Sequence, residues 1–301
     1  MPGMVGRREG ASGLGAGDYD PTAAERDCLL EFQQRAIRYF VENQASCGLI
    51  LDRQRNRGRP RARGLCSTAA TGMGLIALAL ASAPPHRLLS RGEAIRRIEA
   101  ALEAAGRLPH DRGIMPHFVD SASGHPRGID VLSTIDTAWL LAGALWSAAF
   151  LGDGRLQDMA EHLSERVDWR YWTAPDQPDS RGLLRHGRGR DGRLLRGCWD
   201  RLNGETLFLY IMAAGADEPR AVPASCWAAL QPCYGEVAGY RFNNADLGLF
   251  VFQYSLDLLD LRRWHAPGTF DLWSEAAVAA AANRDACRAV ASRFCTYRRY
   301  W

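Results

Sequence analysis

The chain has 301 residues, which is enough for one large domain or two ordinary ones, and a formal net charge of only +3. Its longest apolar run, Ala138 to Gly152, is shorter than the roughly 20 residues that span a bilayer. We therefore expect a soluble protein with no membrane partner.

The first 20 residues differ in composition from the rest of the chain. They are rich in glycine and other small residues, and they lack the apolar core of a signal peptide. We expect a flexible tail over residues 1–20 and a cytoplasmic protein. Residues 21–301 are expected to form one domain.

The eight cysteines include no CxxC pair and no compact cluster with histidine. Most lie within apolar helical stretches, as small buried hydrophobic residues do. This pattern favours reduced thiols and predicts no zinc or other metal site.

Helical spacing of apolar residues recurs along the chain in two forms. Amphipathic segments carry charges on one face, whereas the others are nearly free of charge and must be buried all round. No segment shows convincing strand alternation. In chain order the predicted helices are Pro21–Gln44, Ser67–Leu80, Ser90–Arg107, Ser133–Phe150, Leu156–Val167, Asn203–Met212, Leu247–Leu261 and Leu272–Arg293, of which the second, fourth, sixth and seventh are apolar.

This alternation predicts an all-α protein with two layers of helices. An inner ring of buried helices inside an outer ring with one face in water satisfies the pattern, so we predict an α/α toroid of helical hairpins. A layered helical bundle or a solenoid is the alternative, although the sequence shows no repeat at a fixed period.

The fourth predicted helix begins with a carboxylate beside hydroxyl groups, in the sequence Ser133-Thr134-Ile135-Asp136-Thr137. One interpretation is a capping box, in which Ser133 caps the helix and Asp136 reaches back to the amide of the cap residue. The other is a carboxylate that points into a polar pocket at the helix mouth. The segment alone favours the cap.

All the apolar helices begin with polar residues, and in a toroid these starts would line one end of the axis. Trp139, Trp199 and Tyr210 would add flat apolar surfaces nearby, a mixture that suits the ring faces and hydroxyl edges of a sugar. Core packing explains any one of these aromatic residues equally well. The polar starts are Ser67-Thr68, Ser133-Thr134 with Asp136, Asn203 with Glu205, and Asn243-Asn244.

Several motifs occur in the order found in one protein family. They are Asp52-Arg53, Ser67-Thr68-Ala69-Ala70-Thr71-Gly72, Pro116-His117-Phe118-Val119-Asp120, Ser133-Thr134-Ile135-Asp136-Thr137-Ala138, Val167-Asp168-Trp169, the Glu205 helix, Phe252-Gln253-Tyr254-Ser255 and Ala282-Asn283-Arg284. From about Leu29 to Trp301 the chain resembles the glucoamylase-like family of bacterial endo-β-1,2-glucanases and cyclic β-1,2-glucan synthase domains. The resemblance implies an α/α toroid that hydrolyses a β-glucan, with no metal or organic cofactor.

The resemblance also implies where the active site lies. Glu205 is the expected general acid and Asp136 the second catalytic carboxylate, since glycoside hydrolysis uses one carboxyl group to protonate the leaving oxygen and another to activate water or attack carbon. The expected substrate-binding residues are Asp52, Arg53, His117, Asp120, Trp139, Trp199 and Tyr210.

The chain departs from the family pattern at two places. Gly204 stands where members commonly have Asn before the glutamate, and Phe252 and Leu256 stand where they often have His beside Gln-Tyr-Ser. Both changes remove polar groups near helix starts. The alternative function is therefore an inactive or truncated relative that binds carbohydrate, or is structural, without turnover.

In the family, a further segment follows the stretch that corresponds to Tyr297–Trp301, and the complete toroid has six inner helices. With four inner helices predicted here, we expect an open ring that lacks its C-terminal hairpins. Its last helices would expose apolar flanks, through which another chain could associate.

Two arginine-rich runs lack helical periodicity and are interpreted as exposed loops. A patch that binds an anionic polymer is the competing interpretation, but no recognition motif accompanies the runs and a nucleic-acid partner is not favoured. The runs contain Arg53, Arg55, Arg57, Arg59, Arg61 and Arg63, and then Arg181, Arg185, Arg188, Arg190, Arg193 and Arg196.

Overall fold

The computed structural model describes residues 20–55, 64–127, 130–175, 182–262, 271–294 and 297. The predicted tail through residue 19, the last four arginines of the first run (Arg57, Arg59, Arg61 and Arg63), Arg181 and residues 298–301 lie outside these ranges. Every statement about structure below concerns the described residues.

Helices make up most of the regular structure. The α-helices are α1 (Ala23–Glu42), α2 (Thr68–Ala81), α3 (Arg91–Gly106), α4 (Thr134–Leu151), α5 (Gly154–Glu165), α6 (Gly204–Ala214), α7 (Phe250–Gln253) and α8 (Leu272–Ala289). Short 3-10 helices occupy Trp169–Trp172, Ala224–Ala229 and Tyr254–Asp257. Seven of the eight predicted helices are therefore present within a few residues of their expected bounds.

The predicted helix Leu247–Leu261 is wrong in extent. Only α7 and the 3-10 turn that follows it are helical there. Asn243 ends a strand, and Asn244 has a left-handed backbone with φ 54°. Poor helix formers occupy this segment, namely Gly248 and the aromatic and β-branched residues after it. The segment therefore does not form a long helix although it is apolar.

Seven short strands were not predicted from the sequence. They are β1 (Leu65–Ser67), β2 (Phe118–Asp120), β3 (Pro126–Arg127), β4 (Asp130–Ser133), β5 (Gly187–Gly189), β6 (Tyr234–Val237) and β7 (Tyr240–Asn243). All pairs are antiparallel, in the order β1-β2-β3, β4-β5 and β6-β7. With two to four residues each, they are too short to show an alternating pattern.

The chain forms two compact units. The first, called the helical unit below, contains residues 21–199 and 209–229. The second, called the hairpin unit, contains residues 200–208 and 230–301. The single domain predicted over residues 21–301 stays a prediction.

The core of the helical unit is built on α2 and α4, the two nearly charge-free helices. They touch backbone to backbone, because a Cβ atom on Gly72 would lie 2.1 Å from the Trp139 carbonyl oxygen and one on Gly143 only 2.0 Å from the Gly72 carbonyl oxygen. Leu75, Leu78 and other apolar side chains around this crossing are fully buried. The close approach fixes how the two helix starts meet.

Helices α3 and α5 pack outside this pair and bury only one face. In α3 the buried residues include Ile98 and Leu102, whereas Glu103 faces solvent. The predicted inner and outer layers are thus present among α2 to α5. Helix α1 is less covered, since Leu29 is 58% exposed and Phe32 75% exposed.

Helix α4 is the one helix among the described residues that is long and apolar enough to cross a membrane. Of its 18 residues, 78% are buried inside the protein. It occupies the position of a core helix.

In the hairpin unit, the β6-β7 hairpin and α7 pack on α8. Phe242, Val251 and Phe252 form a core with three alanines of α8, and the rings of Phe242 and Phe252 lie 5.8 Å apart. Trp273 on α8 and Phe294 after it remain exposed. The predicted association through exposed apolar flanks stays a prediction.

Candidate active site

The starts of α2 and α4 meet around the segment Met115–His117. The Thr68 amide donates to the His117 carbonyl oxygen at 3.1 Å, and the Met115 amide donates to Thr137 Oγ1 at 2.9 Å. The Ser133 amide donates to the Met115 carbonyl oxygen at 2.9 Å. These bonds satisfy buried backbone groups and hold His117 at the mouth of both helices.

Asp136 lies in the first turn of α4 and is only 8% exposed. Ser133 caps the helix, since its Oγ accepts from the Asp136 amide at 3.4 Å. The reciprocal half of the predicted capping box is wrong: the Ser133 amide bonds to Met115, and the Asp136 carboxylate instead accepts from the Ser133 hydroxyl at 2.5 Å. The carboxylate therefore does not close the helix end.

His117 is the second partner of this carboxyl group. Its Nε2 atom lies 3.6 Å from Asp136 Oδ1, and its ring stacks on Phe118 with centroids 3.8 Å apart. The His117 side chain is 32% exposed, whereas that of Asp136 is 11% exposed. His117 thus connects a buried carboxyl group to solvent.

Burial raises the pKa of Asp136 above the ordinary value for aspartate, because the charged form loses its hydration. His117 and the Ser133 hydroxyl act in the opposite direction, and the nearby negative charge of Asp52 adds to the upward shift. The result is a carboxyl group that keeps its proton to a higher pH than an exposed aspartate does.

Asp52 and Arg53 follow a short bridge to β1 in which the Asp52 amide donates to the Leu65 carbonyl oxygen at 2.8 Å. The Arg53 Nε atom lies 2.5 Å from Asp52 Oδ2. The Asp52 side chain is 20% exposed and that of Arg53 is 76% exposed. Since the Asp52 charge acts on Asp136, the structure brings two predicted site carboxylates within electrostatic range.

The Asp120 carboxylate forms hydrogen bonds within its own turn. Its Oδ1 atom accepts from the amides of Ala122 and Ser123 and from the Ser123 hydroxyl, and Oδ2 pairs with Arg127 at 3.3 Å. These bonds, those from Ser123 first, lower its pKa. The carboxylate therefore shapes the connection from β2 to β3, and its predicted contact with substrate stays a prediction.

The three predicted aromatic residues have different exposures. Trp139 is 2% exposed and Tyr210 is 3% exposed, so neither offers a ring face to a ligand in this structure. Trp199 is half-buried, and its Nε1–H donates to Thr134 Oγ1 at 2.9 Å. The Tyr210 hydroxyl donates to the Trp199 carbonyl oxygen at 2.9 Å and accepts from the Leu184 amide. Tyr210 thereby holds Trp199 beside the start of α4.

Glu205 lies in the hairpin unit, half-buried in the first turn of α6. Asn203 precedes it as a cap, because its Oδ1 accepts from the Thr206 amide at 3.0 Å. The side-chain amides of Asn243 and Asn244 both donate to the Leu202 carbonyl oxygen. The loop before Glu205 is thus tied firmly to the end of β7.

The departure at Gly204 has a steric cause. A Cβ atom there would lie 2.6 Å from the Val251 carbonyl oxygen and 2.9 Å from Ser255 Oγ. Phe252, the other departure, is fully buried against Phe242. Close backbone packing and an aromatic core therefore occupy these two positions.

Sequence reasoning missed the role of two arginines and one serine. Arg185 is 5% exposed, and Arg188 pairs with Asp111 at 2.7 Å and donates to the Tyr171 hydroxyl at 2.9 Å. The interpretation of the second arginine run as an exposed loop is therefore wrong at these two positions, although Arg190, Arg193 and Arg196 are exposed. Ser133 proved to be a donor to Asp136, which the spacing Ser-x-x-Asp could have suggested.

Within the described ranges, no group of three or more His, Cys, Asp or Glu side chains could hold a metal ion.

The structure is similar to solved structures of glucoamylase-like proteins. An endo-β-1,2-glucanase from Chitinophaga pinensis, solved as a sophorotriose and glucose complex, matches with a TM-score of 0.67 and 16% identity over 89% of this chain and 68% of that chain. A β-1,2-glucanase from Parabacteroides distasonis matches with a TM-score of 0.68 and 17% identity over 89% of this chain and 42% of that one. A proposed glucoamylase from Bacteroides uniformis matches with a TM-score of 0.72 and 15% identity, over 92% and 70%. Neither a protein family model nor a curated protein matches the sequence.

These matches confirm the resemblance inferred from the ordered motifs. The chain has the predominantly helical fold of the glucoamylase-like proteins and β-1,2-glucanases, which was predicted as an α/α toroid. The predicted opening of the ring stays a prediction.

Proposed function

We propose that the chain is a glycoside hydrolase that acts on β-1,2-glucan or a related β-glucan, with Asp136 and Glu205 as its catalytic carboxyl groups. The observation that carries the proposal is the Asp136 carboxyl group, buried between Ser133 and His117 at the start of an apolar helix. The likeness of the fold to two β-1,2-glucanases supports the same class of reaction.

The environment of Asp136 suits proton transfer. A catalytic acid or base is most effective when its pKa lies near the working pH, and burial raises the pKa of Asp136 in that direction. His117 reaches both this carboxyl group and solvent, so it can relay a proton or orient a water molecule. An aspartate that only capped the helix would need neither a raised pKa nor a contact with His117.

In the proposed reaction, Glu205 donates its proton to the glycosidic oxygen while Asp136 activates a water molecule or attacks the anomeric carbon. The C–O bond of the leaving sugar breaks, and water supplies the new hydroxyl group. The two carboxyl groups are about 6.5–9.5 Å apart in inverting enzymes and about 5–5.5 Å apart in retaining ones. The anomer first released, read by NMR, therefore distinguishes the two modes.

Asp52, Arg53, His117 and Trp199 are the proposed contacts to the sugar, because each is at least partly exposed near the start of α4 or electrostatically linked to it. Trp139 and Tyr210 are buried, and they are proposed to support these contact residues from the interior of the protein. Asp120 is proposed to position the β2 to β3 connection beside it.

The test is sugar release from linear β-1,2-glucan by the purified chain, compared with Glu205→Gln, Asp136→Asn and the control Asp158→Asn on the exposed face of α5. The proposal requires release by wild type and the control and its loss in both site variants at matched circular dichroism. An aryl β-glucoside with a good leaving group assigns the acid, since the variant lacking the acid retains activity on it.

The alternative function is carbohydrate binding without turnover, favoured by the replacement of polar groups at Gly204 and Phe252. Calorimetry with β-1,2-glucan separates the two. Binding by a folded wild type that releases no sugar from any β-glucan would overturn the hydrolase proposal and support this alternative.

A further inference from the structure

Two cysteines of the helical unit lie side by side although they are 19 positions apart. The Sγ atoms of Cys47 and Cys66 are 4.0 Å apart, and both are free thiols. Cys66 is fully buried in β1, next to the cap residue of α2, whereas Cys47 is half-buried in the turn after α1. Cys66 is thus shielded from solvent, whereas Cys47 is partly accessible to it.

Cys47 is open to small molecules. It lines a cleft of about 310 Å³ together with Arg107 at the end of α3 and Ser123 in the connection from β2 to β3. A peroxide molecule is far smaller than this volume. Cys66 itself has no exposed surface.

The two thiols also differ in acidity. The hydrogen bond between them lowers the pKa of Cys47 to about 6, against the opposing effect of burial. The same hydrogen bond raises the pKa of Cys66, and burial adds to that shift. These opposite shifts favour the thiolate on Cys47 and the hydrogen-bond donor on Cys66, which is the division between an attacking and a resolving cysteine.

We propose that Cys47 and Cys66 form a modification site at which hydrogen peroxide converts the two thiols into a disulfide bond. The Cys47 thiolate attacks one peroxide oxygen, the O–O bond breaks, and a sulfenic acid forms while hydroxide leaves and takes up a proton as water. The Cys66 sulfur then attacks the Cys47 sulfur, the S–O bond breaks, and a second water leaves with the Cys66 proton. Overall, two thiols are oxidised and one peroxide is reduced to two water molecules.

Little movement is needed to close this bond. The sulfur atoms must approach from 4.0 Å to the disulfide length of about 2.05 Å. The segment after Cys47 is already held against β1, because Leu51 forms an antiparallel bridge with Cys66 and the Ser67 amide donates to the Ile50 carbonyl oxygen. The closed loop would contain Asp52 and Arg53, so oxidation would act on the segment that carries these two residues.

The test uses the reduced full chain at pH 6, treated with hydrogen peroxide, quenched by alkylation and mapped by mass spectrometry. Cys28, exposed on α1, is the internal comparison. The lowered pKa of Cys47 gives it a larger thiolate fraction at this pH, and this gain exceeds the lower nucleophilicity of the weaker base. We expect Cys47 to disappear about tenfold faster than Cys28, with a linked Cys47–Cys66 peptide that dithiothreitol reverses.

Two variants complete the test. In Cys66→Ser, Cys47 should accumulate as a sulfenic acid that dimedone traps, whereas Cys28→Ser should leave formation of the linked peptide unchanged. Equal loss of Cys47 and Cys28 in wild type, with no linked peptide, would overturn the proposal. Because peptide mapping of wild type gives the answer without any variant or activity, the result is independent of the proposed hydrolase function.

Discussion

His117 Nε2 lies 3.6 Å from Asp136 Oδ1, and this contact joins the segment before β2 to the first turn of α4. The positive charge of a protonated His117 lowers the pKa of Asp136, so removal of the imidazole should raise that pKa further. For the proposed hydrolysis, we expect His117→Ala to move the limb of the pH–activity profile assigned to Asp136 to higher pH. The matched control is His125→Ala, an exposed histidine of the β2 to β3 connection, and a shift of equal size in both variants would contradict the assignment.

Asp136 should also make the stability of the protein depend on pH. Its pKa is higher in the folded protein than in the unfolded chain, so folding takes up a proton between the two values. The stabilisation is complete below the pKa of an unfolded aspartate, about 3.9, and is lost as pH rises through the folded pKa. Relative to Asp136→Asn, wild type should lose unfolding free energy between pH 4 and pH 7. Urea titrations at several pH values measure this, and Asp158→Asn should show the slope of wild type.

Gly143 allows α4 to touch α2, and alanine there should be strongly destabilising. The added Cβ would lie 2.0 Å from the Gly72 carbonyl oxygen, and backbone cannot move aside as a flexible side chain can. We expect Gly143→Ala to lower the free energy of unfolding by about 3 kcal/mol or more. Gly106→Ala, at the end of α3 with no atom within 4 Å of the new Cβ, should be neutral or slightly stabilising. Equal unfolding midpoints for the two variants would show that the helices are not in contact at this point.

Gly204→Asn introduces the residue that the family resemblance implies before the glutamate, yet it should destabilise the protein. The side chain would meet the Val251 carbonyl oxygen at 2.6 Å, so α7 or the start of α6 would have to shift, at a cost of about 2–3 kcal/mol. The control is Gly154→Asn at the start of α5, where a Cβ meets nothing within 4 Å. Thermal unfolding that leaves Gly204→Asn as stable as wild type would refute the steric explanation.

Tyr210→Phe tests whether a buried hydroxyl positions Trp199. The change removes one hydroxyl and leaves the Leu184 amide and the Trp199 carbonyl oxygen without that partner, which should cost about 1–3 kcal/mol of stability. If Trp199 contacts the glucan, the variant should weaken binding more than it slows a saturated reaction. Tyr171→Phe, which removes a hydroxyl that accepts from Arg188, is the matched change in the same unit and should leave glucan binding unaltered.

The sequence was a good guide where a single periodicity governs a long segment. The charge-free stretches of α2 and α4 could only be buried, and the structure puts them in the core of the helical unit. It was a poor guide where partners come from distant segments. Whether Asp136 reaches the amide or the hydroxyl of Ser133 depends on Met115 occupying the amide, and no local pattern contains that information.

The second arginine run illustrates the same limit. Arg185 and Arg188 looked like solvated loop residues because their run contains glycines and lacks helical spacing, but Arg185 is buried and the Arg188 side chain is only 22% exposed. The partners of Arg188, Asp111 and the Tyr171 hydroxyl, come from two other segments. Local periodicity does not reveal which short strands pair with distant segments. The strands were therefore not predicted, and these two arginines were wrongly predicted to be exposed.

The backbone contact of Gly72 with Gly143 restricts how this protein can diversify. A mutational library that seeks new sugar specificity can vary Arg53 or Trp199, whose side chains are at least partly exposed. The same library should keep both glycines, because a larger residue at either one would separate α2 from α4 and move Asp136 away from His117. The two glycines therefore have to be kept, whereas the partly exposed residues around them can change.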